Sequence, residues 1–367
     1  MNAARKQTSK LASWGFSGPE PFVIAGPCSA ESEKQMLDTA IAIAQTGRAS
    51  ALRAGVWKPR TRPGSFEGIG TPALHWLMAA REATGLPVLT EVGNPTHVEQ
   101  ALKHGIDMLW IGARTTVNPF YVQEIAEALR GVNIPVLVKN PLHADIALWL
   151  GAIERFSKVG VSRLAAVHRG FYTDQPAPFR NEPRWELNFE LRTRMPELPI
   201  LCDPSHIAGR ADLIAQVAQT ALDINLDGLM VETHINPKAA LSDASQQITP
   251  AQLDEMVDNL LIRSEEVDEE AIRQKLLVLR NHIDGIDHDI INKLQERFNL
   301  VDAIGKIKFE DQITVFQMAR WFDVIADRKA VGEKLGLDTD LLYELFSVIH
   351  KFSVKRQTGI VQANNEG

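Results

Sequence analysis

Eight short apolar runs, each followed at once by reactive side chains, constrain this chain more than any other feature of its sequence. The runs are Phe22–Ala25, Ala51–Arg53, Pro87–Thr90, Asp107–Ile111, Pro135–Val138, Arg163–Val167, Pro199–Cys202 and Gly228–Val231, about 20 to 37 residues apart with helix-like segments between them. Continuous apolar strands alternating with helices indicate a parallel sheet covered on both faces. Eight such units within roughly 240 residues match a closed (β/α)8 TIM barrel better than an open sheet.

The polar residues after the runs are Cys28-Ser29, Lys58-Pro-Arg60-Thr61, Glu91, Arg114, Lys139, His168-Arg169, Asp203-Pro-Ser205-His206 and Glu232-Thr-His234. One charge at a strand end is an ordinary solvent boundary. Eight in succession place chemistry on the C-terminal face, where barrel enzymes build their sites from the loops after the strands.

The barrel is expected over residues 21–262, behind an N-terminal extension of residues 1–20. A net charge of −7 argues against nucleic acid and gives no sign of a membrane surface. The N-terminus has no apolar signal core, and no run approaches the roughly 18 apolar residues of a membrane span. The two cysteines, Cys28 and Cys202, are too few for a disulfide scaffold and fit a reducing, cytoplasmic setting.

An acidic run, Glu265-Glu-Val-Asp-Glu-Glu270, then opens a different region, residues 263–367, which reads as an all-α, three-helix domain. Apolar residues recur at three and four through Ile283, Ile290, Leu294, Val301 and Ile304, and further helices are expected over about 316–334 and 338–360. A first helix near 38 residues would be about 57 Å long, too long for a lone three-helix domain to cover. A second copy of the chain is therefore expected to bury it, giving a homodimer.

Two sets of residues carry the barrel's expected chemistry. Cys28, His206, Glu232 and Asp243 are candidate ligands of one divalent ion, because the closed barrel places its eighth strand beside its first. Their mixed sulfur, nitrogen and oxygen donors suit Mn2+, Fe2+, Co2+ or Zn2+ rather than Ca2+ or Mg2+. Arg53, Lys58, Arg60, Arg114, Lys139 and Arg169 form the second set, suited to phosphate and carboxylate. Ion pairs with Glu91 and Asp203 would account for two of these six; an anionic substrate pair accounts for all.

The motifs Ala25-Gly-Pro-Cys-Ser29, Leu52-Arg-Ala-Gly-Val-Trp-Lys-Pro-Arg-Thr61, Ile111-Gly-Ala-Arg114, Val138-Lys139, His168-Arg-Gly170, Cys202-Asp-Pro-Ser-His206, Val231-Glu232 and Leu241-Ser-Asp-Ala-Ser-Gln-Gln247 occur in order across residues 20–262. Together they resemble 3-deoxy-D-arabino-heptulosonate 7-phosphate (DAHP) synthases of the type I β subgroup. The resemblance implies a metal, manganese foremost, on Cys28, His206, Glu232 and Asp243. It implies phosphoenolpyruvate on Arg53, Lys58, Arg114, Lys139 and Arg169, and the phosphate of erythrose 4-phosphate on Arg60 and Thr61. Asp203 and Ser205 are counted with the substrate-binding residues. Octulosonate 8-phosphate synthases, the alternative, usually carry Lys-Ala-Asn-Arg where this chain has Lys-Pro-Arg-Thr. Lys58 is the expected general acid to the aldehyde oxygen, and Glu91 the residue that positions water. His168 stands where many relatives have Glu, which bears on local proton transfer.

In the helical region Arg297 and Lys308 fall on the apolar seam, about 20° apart around the helix axis. Buried cations need anionic partners. Leu279-Arg280, Ile286-Asp287, Glu296-Arg297, Gly305-Lys-Ile-Lys308, Arg320 and Gln357 resemble the all-helical chorismate mutases over about 270–360. The implied site takes chorismate, with Arg280 from the partner protomer and with Lys308 and Gln357 on the ether oxygen. Gln317 and Trp321 stand where that family has Asp and Glu, so a second reading is kept: a module that senses prephenate or chorismate and regulates the barrel.

Overall fold

The computed structural model describes residues 11, 14, 18–59, 64–174, 178–263 and 269–365 of the chain. The chain divides into two compact units, one ending at residue 265 and the other starting at 266.

The first unit is a closed parallel barrel of β1 (Phe22–Gly26), β2 (Ala51–Arg53), β3 (Val88–Val92), β4 (Met108–Ile111), β5 (Val136–Lys139), β6 (Leu164–His168), β7 (Ile200–Cys202) and β8 (Gly228–Glu232), paired in sequence order. It closes where β1 lies beside β8, with Gly26 opposite Glu232. Pro87, Pro135 and Pro199, taken above as strand starts, lie one residue outside the strands, since proline brings no N–H to a ladder. At their other ends the strands outrun the apolar runs and take in Glu91, Lys139, His168 and Glu232. Those side chains therefore ride on rigid sheet rather than on loops.

Around the barrel run α1 (Glu33–Thr46), α2 (Pro72–Thr84), α3 (Pro95–Lys103), α4 (Ala113–Thr116), α5 (Pro119–Ala128), α6 (Ile146–Lys158), α7 (Glu186–Arg194), α8 (Pro204–Ala208), α9 (Ile214–Asp223) and α10 (Pro250–Asn259). Their starts are set locally: the side chains of Ser32, Asn94, Asn118, Asp145 and Asp203 each accept a first-turn N–H. The alternation of the strands makes two cores. Val23, Leu52, Val88, Leu109, Val136 and Ile200 face the helices. Ile24, Leu89, Trp110, Leu137, Val167 and Met230 fill the barrel, joined by Leu11 of the N-terminal extension.

The second unit is helical: α11 (Glu270–Glu310), α12 (Met318–Lys334) and α13 (Thr339–Asn365), with α13 packed on both others. At 41 residues α11 is about 60 Å long. Its seam is covered only in part within the described residues: Val301 is buried, while Ile283, Ile290 and Ile304 are 56%, 52% and 45% exposed.

Candidate active sites

The barrel mouth is organised by buried ion pairs. Arg53 ends β2 and is 1% exposed; its Nη2 lies 3.1 Å from Glu232 Oε1 and its guanidinium stacks 4.9 Å from the Trp110 ring centre. Its Nε and Nη1 have no hydrogen-bond partner among the described residues. A charged fork with two unused donors in a low-dielectric pocket is an anion receptor. Lys139 ends β5 and lies 2.6 Å from Asp203 Oδ2. Among the described residues ion pairs thus occupy Arg53 and Lys139 of the basic set, two as the plainer reading anticipated, but Glu232 takes the place assigned to Glu91. Glu91 instead accepts a hydrogen bond from Trp110 Nε1 at 3.2 Å. Lys58, Glu91, Arg114, Lys139 and Arg169 line one cavity together with His206 and Asp243. Burial pushes the Arg169 guanidinium down to about 10, and Asn181 Oδ1 accepts from its Nη1 at 3.0 Å. Arg60 and Thr61 lie outside the described residues.

The four candidate metal ligands come as two pairs. Cys28 Sγ is 3.3 Å from Asp243 Oδ2, and His206 Nε2 is 3.8 Å from Glu232 Oε1. Among the described residues no three His, Cys, Asp or Glu side chains stand close enough together to hold an ion as they are. The chemistry of the set nevertheless fits one. His206 Nδ1 lies 2.8 Å from Asp203 Oδ2, the arrangement by which a carboxylate orients an imidazole ligand and directs its Nε2 outward. Lys58 Nζ lies 3.1 Å from Cys28 Sγ, and Arg53 is paired with Glu232 Oε1, so cations already sit on the soft and hard donors. Burial, with Glu232 adding to it, pushes the Cys28 thiol up to about 12.

Two residues of the sequence motifs have mainly protein partners. Ser205, counted with the substrate-binding residues, is fully buried, and its Oγ accepts the backbone N–H of Glu232 at 2.9 Å. It braces Glu232, one of the candidate metal ligands. His168 does not reach the mouth: its ring packs among Trp149, Phe171 and Trp185, and burial pushes it down to about 3. It is not among the residues that line the cavity.

Other residues went unread. Arg180 donates to Asp243 Oδ1 at 3.0 Å and to Gln246 Oε1 at 2.6 Å, while Gln246 Nε2 donates to Glu232 Oε2 at 2.7 Å. This chain links the two carboxylates of the metal set. Gln246 lies inside a motif quoted above, but Arg180 falls in a non-periodic stretch that gave no signal. Asn140 Oδ1 accepts the Arg169 backbone N–H at 2.7 Å.

In the helical unit Arg297 Nη1 donates to Ser353 Oγ at 2.7 Å, and Lys308 Nζ donates to the Val315 carbonyl at 2.6 Å. Gln357 is 8% exposed, with its Oε1 buried and unpartnered among the described residues. Gly305 makes this contact possible, because a Cβ there would lie 3.3 Å from Gln357 Cγ and 3.0 Å from Ile360 Cδ1. Arg280 is exposed on the same helix as Arg297, about 26 Å away along the axis, and cannot reach that cluster within one chain. Arg320 is exposed on the first turn of α12, and Gln317 is its N-cap. The Trp321 ring stacks on His350 at 4.3 Å.

The profile of the DAHP synthetase I family matches residues 15–268, and that of chorismate mutase type II matches residues 279–358. A phospho-2-dehydro-3-deoxyheptonate aldolase of Thermotoga maritima is 31% identical over 241 residues, covering 65% of this chain and 68% of the relative. A 2-dehydro-3-deoxyphosphooctonate aldolase of Vesicomyosocius okutanii is 24% identical over 271 residues, covering 65% of this chain and 89% of the relative. The crystal structure of the Thermotoga maritima DAHP synthase superposes with a TM-score of 0.58 at 30% identity, over 65% of this chain and 67% of that one.

Proposed function

The chain belongs to the DAHP synthetase I family and carries a chorismate mutase type II domain, and on that premise we propose how its two sites divide the work. The two domains make it a bifunctional enzyme of aromatic biosynthesis, a synthase and a mutase. The barrel site condenses phosphoenolpyruvate with erythrose 4-phosphate to give DAHP and phosphate. One observation carries this reading: Lys58, Arg114, Lys139 and Arg169 converge with Glu91 on a single cavity.

The phosphate and carboxylate of phosphoenolpyruvate take the Arg53 donors left unused, together with Lys139, Arg114 and Arg169. Cys28, His206, Glu232 and Asp243 would hold a divalent ion, manganese foremost, which supplies a Lewis acid beside the aldehyde. The enol carbon attacks the aldehyde carbon, and the new alkoxide takes a proton from Lys58. Cys28, Glu91 and Glu232 outweigh burial to keep that ammonium charged. Glu91 holds the water that adds at the neighbouring, phosphate-bearing carbon and accepts its proton; the new hydroxyl then loses its remaining proton to become the ketone as the C–O bond to phosphate breaks and phosphate leaves.

The mutase site uses Arg297, Lys308, Arg320 and Gln357, with Arg280 from a partner. Its work is to select a compact conformer of chorismate and steady the charge that develops. The exposed apolar stripe of α11 supports a homodimer through the helical domain. No helix among the described residues is long and apolar enough to cross a membrane, and a cytoplasmic enzyme is the setting we infer.

Phosphate release from phosphoenolpyruvate tests the barrel reading, with erythrose 4-phosphate compared against arabinose 5-phosphate, before and after chelation. Preference for the four-carbon sugar and loss on chelation are expected. A preference for arabinose 5-phosphate overturns the acceptor assignment, and full activity in chelator overturns the metal.

A further inference from the structure

One face of α13 carries a row of buried polar atoms that the fold itself does not use. Ser347 Oγ, His350 Nε2 and Gln357 Oε1 are all buried without a hydrogen-bond partner among the described residues, and Ser353 lies between them holding Arg297. Positions 347, 350 and 357 are three and seven apart, so they share one helix face. A buried polar atom left unpaired is costly, and a folded protein accepts that cost where a ligand will supply the partner.

Gln357 is already assigned to the mutase site, but His350 is not. Its ring is fixed from the side by Trp321, with 4.3 Å between centroids and 26° between planes, and Phe316 lies 5.7 Å away. Burial first, then the charges of Arg297 and Lys308, hold the imidazole below its ordinary range. It is therefore neutral at physiological pH, with one nitrogen that donates and one that accepts.

The inventory of the site gives that acceptor a purpose. Arg297, Lys308 and Arg320 are donors only, and the Trp321 indole also only donates. They suit the carboxylates and ether oxygen of chorismate but offer no acceptor to its ring hydroxyl; Ser353 Oγ already accepts from Arg297, and Gln317, whose amide oxygen could accept, is exposed at the N-cap of α12. Trp321 stands where an acidic side chain would have served. We propose that His350 Nε2 accepts the hydrogen bond of the substrate's ring hydroxyl, with Trp321 acting as the platform that sets the plane of the imidazole. The acid missing on α12 is replaced by an acceptor on α13, two turns from Gln357 on the same face. The assignment rests on the reading that Arg297, Lys308 and Gln357 bind chorismate.

The test uses the full-length protein and two substrates, chorismate and an analogue lacking the ring hydroxyl. Synthase activity and helicity report folding, and Arg297→Ala tests the underlying site reading by itself. The wild type should favour chorismate over the analogue in kcat/KM. His350→Leu should lower kcat/KM for chorismate on the order of tenfold and leave the analogue nearly unchanged. His350→Gln, which keeps an acceptor, should recover part of the loss. A His350→Leu enzyme within twofold of wild type on chorismate overturns the proposal. So does an equal loss on both substrates, which would mark a packing role. If Arg297→Ala turns over normally, the site reading itself fails, whatever His350 does.

Discussion

Asp203 holds His206 at two points, accepting its backbone N–H at 3.1 Å through Oδ1 and lying 2.8 Å from its Nδ1 through Oδ2. The same Oδ2 is 2.6 Å from Lys139 Nζ. One buried carboxylate thus caps α8, orients an imidazole and neutralises a lysine. Asp203→Asn keeps the size but removes the charge that both partners need. Divalent metal affinity, measured by titration calorimetry, should fall about 10- to 100-fold, as for other outer-sphere carboxylates. Synthase activity should fall with it, and mutase activity should not change. Unaltered metal affinity would refute the orienting role.

Gly112 follows β4 where it passes under Glu91, and a Cβ there would lie 1.9 Å from Glu91 Oε1. Gly112→Ala must push the carboxylate aside, away from the Trp110 N–H that holds it. We expect synthase kcat to drop about tenfold or more, with the KM for phosphoenolpyruvate affected far less, because Glu91 is assigned to water and not to the phosphate. A loss confined to KM would remove Glu91 from its proposed task.

His168 makes the barrel unit sensitive to acid. In the folded chain burial pushes it down to about 3, while in the unfolded chain it titrates near 6.5. Between those values the unfolded state binds the extra proton, so stability falls as pH falls through that window and is unaffected above it. His168→Phe, a ring among Trp149, Phe171 and Trp185, removes the titration. The urea midpoint of the wild type should therefore decline from pH 7 to pH 4.5 more steeply than that of the variant. Parallel declines would refute the assignment.

How far the sequence could be read depended on whether a residue's role is local. The strands were legible because each is a continuous apolar run, and the basic residues because each follows its run directly. His168 and Arg169 are adjacent, yet alternation along β6 sends one into the outer core and the other to the mouth, and adjacency to the run cannot separate them. The contact of Ser205 was not legible for a related reason: its partner is the backbone of Glu232, 27 residues away, and no spacing rule announces a hydroxyl turned toward a neighbouring strand. Arg180 donates to Asp243 and Gln246, more than 60 residues away. Residues assigned to substrate cluster in sequence motifs at strand ends, whereas those that brace them are set by the closed fold.

Arg280 and Arg297 supply the sharpest test of the helical domain. They lie on one continuous helix about 26 Å apart, so a site that uses both must draw them from two chains. In a two-fold dimer each site then combines Arg297 of one protomer with Arg280 of the other. Arg280→Ala and Arg297→Ala proteins should each lack mutase activity while keeping synthase activity. Mixed after dissociation and reassociation, they should form heterodimers in which one of the two sites is intact. Since half of a random mixture is heterodimer, about a quarter of wild-type mutase activity should return. Ile283→Asp, which places a charge in the exposed stripe, should abolish both the dimer, followed by sedimentation, and this complementation. Activity that fails to return although heterodimers form would show that the two arginines serve no common site.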